Sequence, residues 1–322
     1  MKRSSRNATL ATTLIIMTIS CKTPSTVKIQ ADASATQDAS TSYKCGRPLV
    51  VAWDAHKKTN YSQLDQKAAF AAISKENMND LIKLVGPMTA DEKILYTASL
   101  SLNPVPVVNR GYYANLKRLL TSQAKSIEAP NAPRAKAAGI EPAITPQSED
   151  ELYGALNCVF ATVGPPDGRT RYGDVIFRFK SREPVPAFGT LRAGNPYMWG
   201  SPGKTMAEYQ YGYVQMLVAP VDWDEWFAYG LVKRLRDKGA AKTKMIADLN
   251  KILESTPLTK RRRDFWQYVF DQQLGYLEGK YENTVSIAAM ESIEVDASVM
   301  KDIAGWQLPA SVMALIKAKT VP

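Results

Sequence analysis

The sequence predicts an α+β protein, with an N-terminal helical part followed by an antiparallel β core interrupted by helices. Three observations carry this. Apolar residues recur at helical spacing between 62 and 104, with Gly and Pro as stops. From residue 153 the texture changes to short apolar runs divided by turn residues. Between 222 and 277 aromatic residues again recur at helical spacing.

Taken in order, Pro48–Trp53 reads as a short strand or buried run. Residues 62–85 read as a helix, with Phe70, Ile73, Leu81 and Leu84 in phase and Gly86-Pro87 ending it. Thr89, a capping-type residue followed by Asp91 and Glu92, starts a second helix that stops before Asn103-Pro104. Val105–Val108 reads as a strand and Ala114–Leu120 as a helix. Pro130, Pro133, Pro142 and Pro146 make residues 128–147 a long loop. Tyr153–Val163 and the alternating Tyr172–Lys180 are expected to pair as a hairpin around the turn cluster Gly164-Pro165-Pro166-Asp167-Gly168.

Residues 184–203 read as an irregular loop, and Tyr211–Val218 as a further strand. Three helices are expected next, from Asp222, over Lys242–Leu253, and over Lys260–Leu277. Their aromatics, Trp223 to Phe270, are expected in the core. Glu282–Ala288 and Ile293–Val295 read as the last strands, and Leu308–Lys317 as a terminal helix. There is no internal repeat.

The first residues hold Lys2, Arg3 and Arg6, then an apolar stretch from Ala8 to Ile19, then Ser20-Cys21. A basic head, a short apolar run and a small residue describe a secretory signal peptide over 1–20. The run is shorter than the roughly 20 apolar residues a bilayer span requires. Thr18-Ile19-Ser20-Cys21 resembles the lipobox of bacterial lipoproteins, with Thr18 where that motif most often has Leu. The resemblance implies a diacylglycerol on Cys21, hence membrane attachment outside the cytoplasm. Lys22, rather than Asp, after the cysteine favours the outer membrane over the inner. Residues 21–44 are rich in Ser, Thr, Ala, Gln and Asp and read as a flexible tether. The remainder divides into a helical part, 45–104, and an α+β domain, 105–322.

Three cysteines are present. With Cys21 lipidated, Cys45 and Cys158 are left. In an oxidising compartment they form a natural disulfide pair; the other reading is two free buried thiols. Without the signal the chain has 38 Lys+Arg against 31 Asp+Glu. This balance favours acidic partners. Its densest cluster, Lys260-Arg261-Arg262-Arg263, also reads as a solvated helix face. An extracytoplasmic address argues against nucleic acid. The single histidine, His56, cannot build a His-rich zinc site, so no metal is expected, and His56 reads as structural or exposed. Walker, Rossmann, G-x-S-x-G and H-E-x-x-H fingerprints are absent.

Four segments together resemble the ADP-ribosyltransferase-like fold. They are Val107-Val108-Asn109-Arg110-Gly111 with the helix Leu116–Leu120; Tyr153-Gly154-Ala155-Leu156-Asn157; Arg171-Tyr172-Gly173-Asp174-Val175 with Phe188-Gly189-Thr190 and Gly194-Asn195; and Tyr281-Glu282-Asn283-Thr284-Val285 with Met290–Val295. The resemblance implies NAD as a possible cofactor and Glu282 as the carboxylate that stabilises an oxocarbenium-like state. Glu208 is the alternative carboxylate. It implies Arg110 on the pyrophosphate, Tyr153 or Tyr172 stacked on nicotinamide, and Thr190 among the cofactor contacts. The sequence departs from the family pattern at Lys280, which fills the partner position of a Glu-x-Glu pair, and it lacks a clean Ser-Thr-Ser segment.

Two functional readings follow. The first is a lipid-anchored binding or interaction protein of the cell envelope, whose partner is an envelope component or target protein. It expects an exposed apolar patch, for which Trp223–Phe227 is the main source. The second is an ADP-ribosyltransferase-like enzyme, which expects Arg110, Tyr172 and Glu282 to converge on one cleft.

Overall fold

The computed structural model describes residues 45–121, 126–128, 154–155, 157–180, 188–190 and 206–319. Expectations for Cys21, the tether, Tyr153 and most of the loops at 128–147 and 184–203 lie outside these residues. The fold is α+β. Ten α-helices among the described residues surround one large sheet.

The N-terminal part holds α1 (Arg47–Lys57), α2 (Gln66–Val85) and α3 (Ala90–Ser101). The run at 48–53 is therefore a helix, not a strand. Leu49, Val50 and Trp53 are buried while Val51 is 51% exposed, which is helical rather than alternating burial. Asp65 caps α2 by accepting from the Ala68 amide at 3.0 Å. Thr89 and Glu92 form a reciprocal capping box at the start of α3.

The next elements are β1 (Val107–Gly111), α4 (Tyr113–Thr121), β2 (Ser126–Glu128), β3 (Cys158–Val163), β4 (Val175–Phe179) and β5 (Phe188–Thr190). They are followed by α5 (Met206–Val214), β6 (Leu217–Val218), α6 (Trp223–Asp237), α7 (Lys242–Leu253) and α8 (Leu258–Asp271). The chain closes with β7 (Leu277–Glu282), β8 (Thr284–Ser286), β9 (Met290–Val295), α9 (Met300–Ala304), α10 (Ala310–Met313) and β10 (Ile316–Ala318).

Eight strands form one sheet in the order β10-β9-β4-β1-β3-β7-β5-β6, and β2 pairs with β8 separately. All pairings are antiparallel except β9 with β10, which is parallel. The expected hairpin of residues 153–180 does not form. Both β3 and β4 pair with β1, which lies between them. A tight hairpin needs a short turn, whereas residues 164–174 are long enough to pass over β1. Gly168 passes close against Val108 in this crossing. Gly173 (φ 136°) crosses the Gly111 backbone so closely that a Cβ there would collide with it.

Three further expectations are corrected. Tyr211–Val214 is the end of α5 and Gln215-Met216 a turn, with only Leu217 and Val218 extended. The third C-terminal helix begins at Leu258 and stops at Asp271; Gln273 turns out with positive φ, and Leu277 opens β7. The terminal helix is only Ala310–Met313, because Ile316–Ala318 pair in parallel with β9.

One sheet face is apolar: Val107, Val159, Ala161, Val163, Phe177, Leu277, Tyr281 and Ile293 share it by register. It packs in one core with the aromatics of α6 and α8, among them Trp223, Phe227, Phe265 and Trp266. Gly189 and Gly279 sit opposite each other on β5 and β7, and the indole of Trp223 occupies the space their missing side chains leave. Trp223, Trp226 and Phe227 are all buried, so this segment supplies no exposed patch. A second core cluster lies on the other face, where α1, α2 and α5 surround Cys158. Cys45 and Cys158 are disulfide-bonded, and both are buried.

Candidate functional site: the polar face of the sheet

The face opposite the aromatic core carries the polar residues. Register lines up Ser292, Arg178, Val108, Thr162 and Glu278 across β9, β4, β1, β3 and β7. Directly opposed residues of an antiparallel pair share a face, so this row is a seam with Arg178 and Glu278 as its charged members. On the same face one pleat further lie Glu294, Arg110 and Lys280.

At one end of the seam Arg178 forks onto Glu294, with Nε and Nη2 at 2.8 and 3.0 Å from the carboxylate oxygens. Its Nη1 donates to the Pro166 carbonyl at 2.6 Å. Asp167 lies 3.5 Å from Arg178 and accepts from Arg263 of α8 at 2.5 Å. Ser292 donates to Glu294 at 2.9 Å. Burial pushes the Glu294 carboxyl up, but Arg178, with Ser292 and Arg263 adding to it, holds it below the ordinary glutamate range. The arrangement ties β4 and β9, the crossing loop and α8 together.

At the other end Lys280 is fully buried in β7. Its Nζ donates to the Tyr213 hydroxyl at 2.8 Å, to a Glu278 carboxylate oxygen at 3.1 Å and to the Glu278 carbonyl at 3.2 Å. These three acceptors match the three donors of an ammonium group. The ammonium also lies 5.6 Å from the Phe160 ring centroid and 5.3 Å from that of Tyr213. In the sequence Lys280 marks only a departure from a Glu-x-Glu pair. It lies between the expected helix that ends at Leu277 and the expected strand that starts at Glu282. What buries it is α5, whose Tyr213 is 67 residues away in sequence, and no local pattern signals that contact.

Glu282 ends β7, opposite Cys158, and is exposed. Asn283 (φ 60°) turns the chain into β8, and its amide donates to the Asn157 carbonyl at 2.9 Å. Arg110 stands on the same sheet face, with β3 between β1 and β7. Its Nε and Nη1 donate to the carbonyls of Asp167 and Gly173 at 2.6 and 2.7 Å, clasping the crossing loop onto β1. Burial lowers its pKa against the opposing pull of Asp167, Asp174 and Glu294.

Tyr172 is half-buried in the loop and close enough to Tyr276 to contribute to the raised pKa of that phenol, after burial and Glu278. Tyr276 precedes β7, at the end of that strand away from Glu282. Glu208 is exposed in the first turn of α5. The Thr190 backbone pairs between Glu278 and Leu217. Arg110 and Tyr172 are thus joined through one loop, while Glu282 lies across β3 at the mouth of the β7–β8 turn.

Among the described residues no group of three or more His, Cys, Asp or Glu is arranged to hold a metal ion. His56 is exposed and stacks on Tyr211, ring centroids 3.5 Å apart. No described helix is long and apolar enough to cross a membrane. Neither family models nor curated proteins give a match to this chain.

Proposed function

We propose that the protein is an exported binding protein of the bacterial cell envelope, tethered to a membrane, with the outer membrane favoured, through a lipid on Cys21. The observation that carries this reading is the buried Cys45–Cys158 bridge. Disulfides form and persist in oxidising compartments and are rare in the cytosol. The basic, apolar and small-residue pattern of residues 1–21 agrees with the same address. Two polar clusters of the sheet support binding over catalysis. Arg110 is engaged with backbone carbonyls, and Lys280 has three protein acceptors.

One observation favours the second reading, an ADP-ribosyltransferase-like enzyme. Register sets Arg110 and Glu282 on the same sheet face, and Glu282 is open to solvent at the end of its strand. In this reading Glu282 stabilises the oxocarbenium-like state as the nicotinamide–ribose bond breaks.

Calorimetric titration with NAD, alongside a nicotinamide-release assay, separates the two. The binding-protein reading expects no turnover and the same trace for Glu282→Gln. Turnover by the native chain, abolished in Glu282→Gln, would replace it with the enzyme reading.

A further inference from the structure

We infer that the hairpin of α7 and α8 is a docking surface for anionic lipid headgroups. Residues 233–264 hold eleven Lys and Arg against four Asp and Glu (Asp237, Asp248, Glu254 and Asp264), a surplus of seven in a chain whose total surplus is +10. The positive charge is therefore concentrated on the end of α6, α7 and the start of α8. Its inward members have structural partners. Arg236 and Lys242 pair with Glu92, Arg263 pairs with Asp167, and Arg262 donates to the Asn103 carbonyl.

The outward members form a surface. Lys244 and Lys251 are seven residues apart on α7, two turns of one side, with exposed Ala247 between them. The opposite side of α7 holds buried Leu249 and the half-buried Met245, Ile246 and Ile252, all packed on the core. At the start of α8, Leu258, Thr259 and Lys260 are exposed, and Leu258 shows 53% of its surface. Lys244 and Lys260 each touch an aspartate four residues on, Asp248 and Asp264. Such exposed pairs are weak and yield readily to a stronger anionic partner. An apolar residue at a hairpin tip among lysines matches a headgroup layer, where cations meet phosphate and a leucine reaches the acyl boundary. That such a surface lies within reach rests on the envelope-tether reading; the binding itself does not.

The test uses the chain from Cys45 onward, which holds every described element and does not contain Cys21. Sedimentation is measured with phosphatidylcholine vesicles, with the same vesicles containing phosphatidylglycerol, and against soluble polyphosphate. The inference expects pelleting only with the anionic vesicles. Lys244→Gln/Lys251→Gln/Lys260→Gln should weaken partitioning on the order of a hundred-fold, since each basic residue near a charged surface contributes about five-fold. The equally charged control Lys83→Gln/Lys301→Gln/Lys317→Gln alters exposed lysines elsewhere and should change it only a few-fold. Leu258→Ser should cost about tenfold with vesicles and nothing with polyphosphate.

Absence of pelleting with anionic vesicles overturns the inference. So does equal loss in the control triple, which would mean net charge alone. Vesicle binding indifferent to Leu258→Ser, with polyphosphate bound as tightly, would assign the surface to a soluble polyanion instead. Because this fragment carries no lipid, failure here leaves the tether reading untouched, and failure of lipidation leaves this result untouched.

Discussion

Replacing both Cys45 and Cys158 by Ala is expected to lower the unfolding free energy by about 4 kcal/mol. The bridge closes a loop with a sequence separation of 113. Cross-linking residues so far apart removes much of the freedom of the unfolded chain, and in the chain-entropy account that loss grows slowly with loop length. The native-state consequence adds to it. Cys45 immediately precedes the turn into α1, and Cys158 opens β3 near the middle of the sheet. The bridge therefore fastens the helical N-terminal part to the β core, where both sulfurs are buried. Urea unfolding followed by tryptophan fluorescence measures the change. A loss below about 1 kcal/mol would mean that the bridge contributes little to holding α1 on the sheet.

Glu92→Gln is expected to destabilise the fold by about 2 kcal/mol, the scale for losing hydrogen bonds to a charged group, since Arg236 and Lys242 are 31% and 27% exposed and keep part of their hydration. The Glu92 side chain is 1% exposed. It accepts from Arg236 Nε and Nη2 at 2.8 and 2.7 Å, and from Lys242 Nζ at 2.7 Å. Its Oε2 also accepts from the Thr89 amide at 2.9 Å. Arg236 donates in turn to the carbonyls of Val85 and Pro87. One carboxylate thus joins the end of α2, the start of α3, the end of α6 and the start of α7.

The Arg236 hydrogen bonds hold the Glu92 carboxyl far below its ordinary value of 4.5, and Lys242 adds to them against the opposing effect of burial. The sign of the pH dependence follows. In acid the unfolded chain binds the proton that folded Glu92 resists. The contribution is complete above pH 4.5 and is lost progressively as pH falls below it. Native protein should lose stability on acidification through this range, and Glu92→Gln should lose less over the same interval. Thermal unfolding at a series of pH values tests it, and parallel curves for the two proteins would contradict it.

Much of this architecture is legible in the sequence where forces are local. The helices expected over 62–85 and from Thr89 to before Asn103-Pro104 form as α2 and α3, legible from apolar period, the Gly86-Pro87 stop and the Thr89 cap, and α7 spans the range its pattern predicts. The aromatics of α6 and α8 lie in the core because their spacing leaves one face to bury. Elements decided by distant partners are not legible. Pro48–Trp53 is a short apolar run, and periodicity alone cannot separate a buried helix from a strand at that length. β1 separates β3 from β4, although sequence order suggests that the latter two are neighbours. β10 exists because β9 offers it an edge.

The polar face shows the same division. Arg110 stands out in the sequence through the resemblance of Val107–Gly111, but the carbonyls it clasps belong to a loop more than 50 residues on. Lys280 falls between the expected helix that ends at Leu277 and the expected strand that starts at Glu282, and contacts with the distant Tyr213 and Phe160 make it a buried cation.

The central claim is that this chain works outside the cytoplasm on a lipid anchor. Its most direct test is metabolic labelling with radioactive palmitate in cells expressing the native chain or Cys21→Ser, followed by membrane fractionation. The account predicts label and membrane recovery for the native chain, and loss of the label in Cys21→Ser. An unlabelled native protein found in the cytosol with free Cys45 and Cys158 thiols would contradict it.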